Sequence, residues 1–253
     1  MAAKKILVAL QLYSVREECG KDLPGVLKAV AKMGYDGVEF AGYHGRPAKE
    51  LRKMLDDLNL KAAGTHTGLN TLQGDEFQKT VDFNKELGNK FLIVPWMDPG
   101  QNATAKQLIA TAATFKAIAA KLKPLGMMTG YHNHDWEFTP LATGERPWDV
   151  FFGNSGSEVV MQFDTGNALR AGTDVLPYVR KFPGRALTVH LKEFSRTDDN
   201  ALLGEGDVDF KKCFELCESV GATEWYVVEQ ESYKHAPLKC VELCRQNLRK
   251  LGR

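Results

Sequence analysis

The chain is poor in several things that would narrow its function. It has 253 residues and no run of 18 apolar side chains, so nothing in it reads as a membrane span. Neither sign of charge is in surplus: 33 Lys and Arg stand against 32 Asp and Glu, a formal net of +1. That balance argues against broad attraction to nucleic acid or to an anionic membrane. The five cysteines are an odd number for a chain of this length, which suits a reducing cytoplasm better than a disulfide scaffold. Met1–Lys5 leads only into the short apolar piece Ile6–Leu12, with no cleavage-type site behind it. It therefore reads as a first strand and not as a signal peptide. No Gly-x-Gly-x-x-Gly turn follows that strand, which removes the main support for an open dinucleotide-binding sheet. No Gly-rich phosphate loop stands out either.

What is present is one repeated joint. A charged amphipathic segment ends at Gly or Asn, a few polar residues pass, and a β-branched or aromatic run follows. The joint occurs at Met33-Gly34, Leu58-Asn59, Leu87-Gly88, Leu125-Gly126, Pro183-Gly184 and Val220-Gly221. Gly or Asn there is what a helix C-cap needs, because that residue must adopt positive φ. Helices are expected over Ala48–Leu58, Phe77–Leu87, Thr104–Leu122, Asp207–Val220 and Leu238–Leu251. In the first of these, Leu51, Met54, Leu55 and Leu58 fall at 3-1-3 spacing and make one apolar face. Strands are expected to start near residues 6, 36, 61, 91, 127, 159, 187 and 225. Residues 139–157 read as an extended loop with a short helix at Pro147–Phe152. Strand and helix alternating about eight times within residues 1–253 predict a single-domain α/β fold, a (β/α)8 barrel of parallel strands.

In such a barrel the chemistry sits at the C-terminal ends of the strands. Those ends carry Glu39, His66, Trp96, His132, His134, Asp164, His190, Lys192, Glu229 and Glu231, so four of the six histidines fall there. On a strand His132 and His134 share a face, because side chains alternate. Imidazoles converging with carboxylates suit a divalent transition metal such as Mn, Zn or Fe, with Mg or Co as further choices. Cys213/Cys217 and Cys240/Cys244 each stand at i, i+4, which raises a four-thiolate zinc site, although small apolar packing is the plainer use of buried thiols. His44 and His235 fall in loops and read as surface residues.

Several of these stretches, taken in order, carry a resemblance. They are Gln11-Leu12-Tyr13-Ser14-Val15-Arg16, Gly37-Val38-Glu39-Phe40, Tyr131–Phe138, Phe163-Asp164-Thr165-Gly166, Val189-His190-Leu191-Lys192, Leu203–Phe210 and Val228-Glu229-Gln230. The chain resembles the sugar isomerase/epimerase superfamily of xylose-isomerase-like TIM barrels almost end to end. That resemblance implies a cytoplasmic, metal-dependent isomerase or epimerase of a sugar, keto-sugar or polyol, working through a metal-stabilised enediolate. A dehydratase of a keto-polyol on the same scaffold is the alternative, and a sugar-binding barrel without activity is a third. The DNA-repair endonuclease that shares the barrel fits poorly with the neutral charge balance. A carbohydrate is the expected partner, nucleic acid and membrane are not, and a homo-oligomer is compatible with the resemblance.

By position the resemblance implies Asp164, His190 and Glu229 as metal ligands, with His132 standing where the epimerases have Glu. Glu229 is then ligand and base, and Lys192 steadies an enediolate oxygen or protonates a leaving hydroxyl. His134 or Glu137 is available to replace the missing carboxylate base, as is Glu39. Glu39, His66, Trp96, Tyr13 and Glu137 are expected to contact substrate. The structural alternatives are barrel packing for Trp96 and Tyr13, and an ion pair with Asp164 or Glu205 for Lys192.

Overall fold

A computed structural model describes residues 5–253; of the lead-in read over Met1–Lys5, all but Lys5 lies outside the described residues. Eight strands are present: β1 Leu7–Gln11, β2 Gly37–Phe40, β3 Lys61–His66, β4 Phe91–Val94, β5 Met128–His132, β6 Val160–Gln162, β7 Thr188–Leu191 and β8 Trp225–Val228. Each begins within one residue of its expected place. All paired neighbours are parallel, in the order β6-β5-β4-β3-β2-β1-β8-β7. The two ends of this order meet where His190 N–H donates to the Phe163 carbonyl at 2.9 Å, beside a bridge between Asp164 and His190. The sheet thus curls into a nearly closed (β/α)8 barrel, and its seam runs through two of the expected site residues. No helix among the described residues is long and apolar enough to cross a membrane.

The repeated joint works as the residue types require. Gly34, Asn59, Gly88, Gly126 and Gly184 all have positive φ, between 54° and 83°. The sixth joint differs: the left-handed residue is Ala222, at φ 57°, and not Gly221. The expected helix Asp207–Val220 is α-helical only over Phe210–Leu216 and continues as a π turn, Cys217–Gly221. One extra residue in that turn carries the cap one position further along. The long helix Ala105–Leu122 starts at a capping box, in which the Thr104 side chain accepts from Gln107 N–H and Gln107 reaches back to the Thr104 backbone. The short helix expected in the 139–157 loop runs Pro147–Asn154.

Two apolar clusters hold the barrel. The larger lies between strands and helices, where Tyr131, Trp148, Phe115, Phe151 and Phe163 are fully buried. The smaller gathers Ala9, Ala63, Phe91, Ile93, Val160, Trp225 and Val227 inside the barrel. Burying one large apolar side chain contributes about 1.5–3 kcal/mol, so this inner plug is a firm floor. Cys213, Cys217, Cys240 and Cys244 are buried and free. Only the Cys213 and Cys217 sulfurs come within 3.9 Å of each other, and no cysteine joins a metal-binding cluster among the described residues. The four thiolates are therefore not gathered into a zinc site, and these thiols fill tight apolar space, the plainer of the two expectations.

Candidate active site

The alternation of side chains along a strand builds the site. Two residues beyond the apolar plug, the same inward positions carry Gln11, Glu39, His132, Gln162, His190 and, just past β8, Glu229. At the seam and rim, His132, Asp164, His190 and Glu229 each offer a ligand atom, and all four atoms lie within 4.8 Å of one another. Four ligand atoms gathered within that limit are close enough to converge on one ion after small side-chain adjustments. The four residues expected to hold a metal are thus brought together.

Two of them carry unused lone-pair positions. Asp164 Oδ1 accepts from Asn167 N–H at 2.7 Å and caps the helix Thr165–Arg170, whereas Asp164 Oδ2 is buried without a hydrogen-bond partner. His132 Nδ1 is likewise buried and unpartnered. Burial holds the His132 imidazole well below its usual pKa, with His190 and His66 adding to the effect, so it stays neutral. Burial raises the Asp164 carboxyl to about 7. Leaving such groups unpaired costs several kcal/mol in a protein interior, about 1–3 for each neutral group and more for a charged one. Two imidazole nitrogens and two carboxylate oxygens converging here fit a divalent transition metal.

Beneath this set lies a further carboxylate. Glu39 is fully buried and accepts from Gln11 Nε2 (2.7 Å) and Gln162 Nε2 (2.8 Å), and it meets His190 Nε2 at 2.6 Å. Burial alone would raise its pKa, but His66 and His190 hold it below the usual carboxylate range. Its room comes from Gly64, where a Cβ would lie 2.5 Å from Glu39 Oε1. Glu39, expected to contact substrate, is placed beneath the rim, where it faces His190. The other His190 nitrogen, Nδ1, faces Glu229 Oε2 at 2.9 Å. Burial opposes charge on this imidazole, yet Glu39 and Glu229 raise it to about 10.

Glu137, expected to contact substrate or to serve as a base, is placed behind the strand. Its Oε1 accepts from Tyr131 OH at 2.6 Å and its Oε2 from His134 N–H at 2.9 Å. Tyr131 points away from the barrel axis, into the aromatic packing of Phe115, Trp148 and Phe151, and Glu137 follows it there. Burial raises Glu137 to about 8. It pins the loop that presents His134.

The rim holds the remaining expected residues. Lys192 is buried and pairs with Glu231, with Glu229 Oε2 3.9 Å away; its expected partners Asp164 and Glu205 are not the ones it takes. Burial would lower its pKa, but Glu229, Asp164 and Glu231 raise it, so it is an ammonium. Burial would raise Glu229, but Lys192 and His190 hold it well below its usual value. His134 is half-buried, its Nδ1 without a partner, and its ring stands edge-on to His132 and to Trp96. His66 touches the network through Gln162 Oε1 at 3.0 Å and packs against His132 and His190. Trp96 and Tyr13 are 48% and 42% exposed, so they are rim residues and not barrel packing. His44 and His235 lie on the surface, as expected.

Four polar residues escaped the sequence reading. Gln11, Gln162 and Thr188 complete the Glu39 network, Gln162 Nε2 also donating to Thr188 Oγ1 at 2.9 Å. Asn133 Oδ1 accepts from Asp164 N–H at 2.8 Å and so fixes Asp164 from the β5 side. The usable signal for Gln11 and Gln162 was their parity with Glu39 and His190 on adjoining strands.

Comparison with known proteins bears on this geometry. The family model described as the xylose isomerase-like TIM barrel matches residues 27–251. An inosose dehydratase from Clostridium perfringens is 24% identical over 242 residues, covering 81% of each chain. A solved structure of a sugar phosphate isomerase/epimerase from Parabacteroides distasonis superposes with a TM-score of 0.83 at 21% identity, covering 98% of this chain and 97% of that one. The IOLI protein, solved with a bound zinc atom, superposes with a TM-score of 0.73 at 14% identity over 98% of this chain and 96% of its own. The last two likenesses are likenesses of fold.

Proposed function

This chain belongs to the xylose isomerase-like TIM-barrel family, and from that premise we propose that it removes the proton beside the carbonyl of a polyhydroxylated ketone and expels water from the next carbon. The observation that carries the reading is the pairing of Glu229 with Lys192. Both are buried at the mouth of the barrel, their charged atoms 3.9 Å apart, above the His132/Asp164/His190 set. One is a carboxylate and the other an ammonium, so a base and an acid stand side by side.

The chain's own residues then divide the work. Glu229 takes the proton from carbon, and the C–H electron pair becomes the new double bond. Lys192 gives a proton to the neighbouring hydroxyl, which leaves as water with the electrons of its C–O bond. Glu39 keeps the His190 ring in place, and Glu137 keeps the His134 loop in place. A divalent metal (Mn, Zn or Fe) held by His132, Asp164, His190 and Glu229 would supply Lewis-acid stabilisation of the negative charge developing on the carbonyl oxygen. The dehydratase names of the curated relatives support this outcome. So does His132, which stands where a second carboxylate base would serve epimerisation.

Isomerisation is the second reading. It is favoured by the unpartnered His134 Nδ1, a neutral imidazole on the rim that could carry the proton back to an adjacent carbon. The test is to incubate the Mn²⁺-loaded protein with an inosose in D₂O, following solvent deuterium at carbon by NMR and loss of water by mass. Wild type is expected to do both, Glu229→Gln neither, and Lys192→Ala only the exchange. A hydroxy-ketone isomer without water loss would select the second reading, and no exchange with any keto-sugar or keto-polyol would sink both.

A further inference from the structure

The barrel mouth holds more histidine than the rim set uses. A second group, His66, His132 and His190, also brings one ligand atom from each residue within 4.8 Å of the others. It shares His132 and His190 with the rim set and has His66 in place of Asp164 and Glu229. The three rings are packed together, with centroids 5.0 Å apart for His66 and His132, 5.3 Å for His66 and His190, and 4.4 Å for His132 and His190. A carboxylate stands against this group as well. Glu39 Oε2 is 3.3 Å from His66 Nε2 and 2.6 Å from His190 Nε2.

His190 divides the two groups. Its Nδ1 faces Glu229 Oε2 at 2.9 Å and Asp164 Oδ2 at 3.9 Å, whereas its Nε2 shares Glu39 Oε2 with His66. A neutral imidazole has one nitrogen lone pair to give, and its other ring nitrogen carries the proton. His190 therefore serves an ion on one side and donates its proton to the carboxylate on the other. That proton goes to Glu39 when the ion is at the rim, and to Glu229 when the ion is beside His66. The two positions exclude each other, and one ion per chain satisfies either. His132, common to both, is buried and has its Nδ1 without a partner.

The donor sets differ in kind. The rim offers two imidazoles and two carboxylates; the second group offers three imidazoles and one carboxylate. Carboxylate oxygen suits Mn²⁺, whereas imidazole suits zinc, for which three histidines are a known ligand set. We propose that His66, His132 and His190, with Glu39, form a second cation position that competes with the rim for zinc, and that His66 thereby biases which metal the barrel holds. Zinc held there leaves Asp164 and Glu229 without metal. The inference rests on the reading of the rim as a metal site.

The test measures zinc and manganese affinities of chelator-treated protein by competition with a chromophoric chelator, and counts imidazoles by X-ray absorption of the zinc-loaded protein. Wild type is compared with His66→Ala and with His66→Gln, which keeps a hydrogen-bonding group toward Gln162. Wild type is expected to show close to three imidazoles on zinc and both variants two. Zinc affinity in the variants should fall at least about tenfold, with manganese affinity unchanged. Asp164→Asn, whose amide can still cap the helix Thr165–Arg170, should reverse the pattern and weaken manganese more than zinc. Two imidazoles on zinc in wild type would overturn the proposal, and so would equal loss of zinc and manganese in both His66 variants. Three imidazoles on zinc, with no manganese bound to wild type, would sink the rim position and leave this one standing. Binding of neither metal would sink both.

Discussion

At its lower end the barrel interior is filled by Ala9, Phe91, Ile93, Val160 and Val227, which pack against one another and against Leu7, Met128 and Leu187. Two residues along the same strands it is lined by Gln11, Glu39, His132, Gln162 and His190, none of which is left to water. The switch falls at one step of the pleat: Ala9 to Gln11, Gly37 to Glu39, Gly130 to His132, Val160 to Gln162, Val227 to Glu229. One layer is held by burial and the other by hydrogen bonds between charged or polar groups. The difference teaches that stability and chemistry are stacked along the barrel axis, the first supplying a rigid floor for the second. Perturbing one layer should then leave the property of the other largely intact.

The largest effect is expected from Glu229→Gln in the upper layer. Removing the base should cost at least about a thousandfold in kcat/KM, or about 4 kcal/mol of barrier. Its thermal midpoint should stay close to wild type, since the amide keeps the shape. Phe91→Ala makes the opposite break, in the floor. Denaturant unfolding should show a loss of about 3–5 kcal/mol, while the folded fraction keeps its metal affinity. Equal damage to both properties in either variant would mean that the two layers are not separable.

Glu39→Gln sharpens the boundary between the layers. The amide retains packing but loses the carboxylate that accepts from His190, and metal affinity should weaken about 10–100-fold. Unchanged affinity would show that the His190 ring is positioned without it. The smallest effect is one of pH. In the metal-free protein His190, raised to about 10, keeps a proton between Glu39 and Glu229, and Asp164, raised to about 7, is partly protonated at neutrality. Those protons compete with the metal, so affinity should rise with pH from about 6 to 8, by up to about tenfold per unit for each proton displaced. Calorimetry in buffers of different ionisation enthalpy would detect the released protons; binding without proton release would contradict the arrangement.

Much of this was readable before any coordinates. Parity along the strands and the Gly or Asn joints located all eight strands within a residue, because both follow from backbone geometry. Convergence of histidines and carboxylates on one rim followed from strand-end placement, and the set His132, Asp164, His190 and Glu229 was implied by the family resemblance. What could not be read was depth. Glu39 and Glu137 look like rim residues in a linear chain, and only the curvature of the sheet puts one under His190 and the other behind Tyr131. The partner of Lys192 was equally hidden, since Glu231 and Asp164 are both near strand ends and their distances depend on how the seam closes. The π turn at Cys217–Gly221 was invisible because Val220-Gly221 satisfies an ordinary cap as well as an irregular one.

The central claim is that the upper layer holds a divalent metal through His132 together with Asp164, His190 and Glu229. Its most direct test is a calorimetric titration of chelator-treated wild type with Mn²⁺ or Zn²⁺, beside His132→Ala. The account predicts about one ion bound per chain in wild type and at least about tenfold weaker binding in the variant. Absence of binding to wild type, or full-strength binding to His132→Ala, would contradict it.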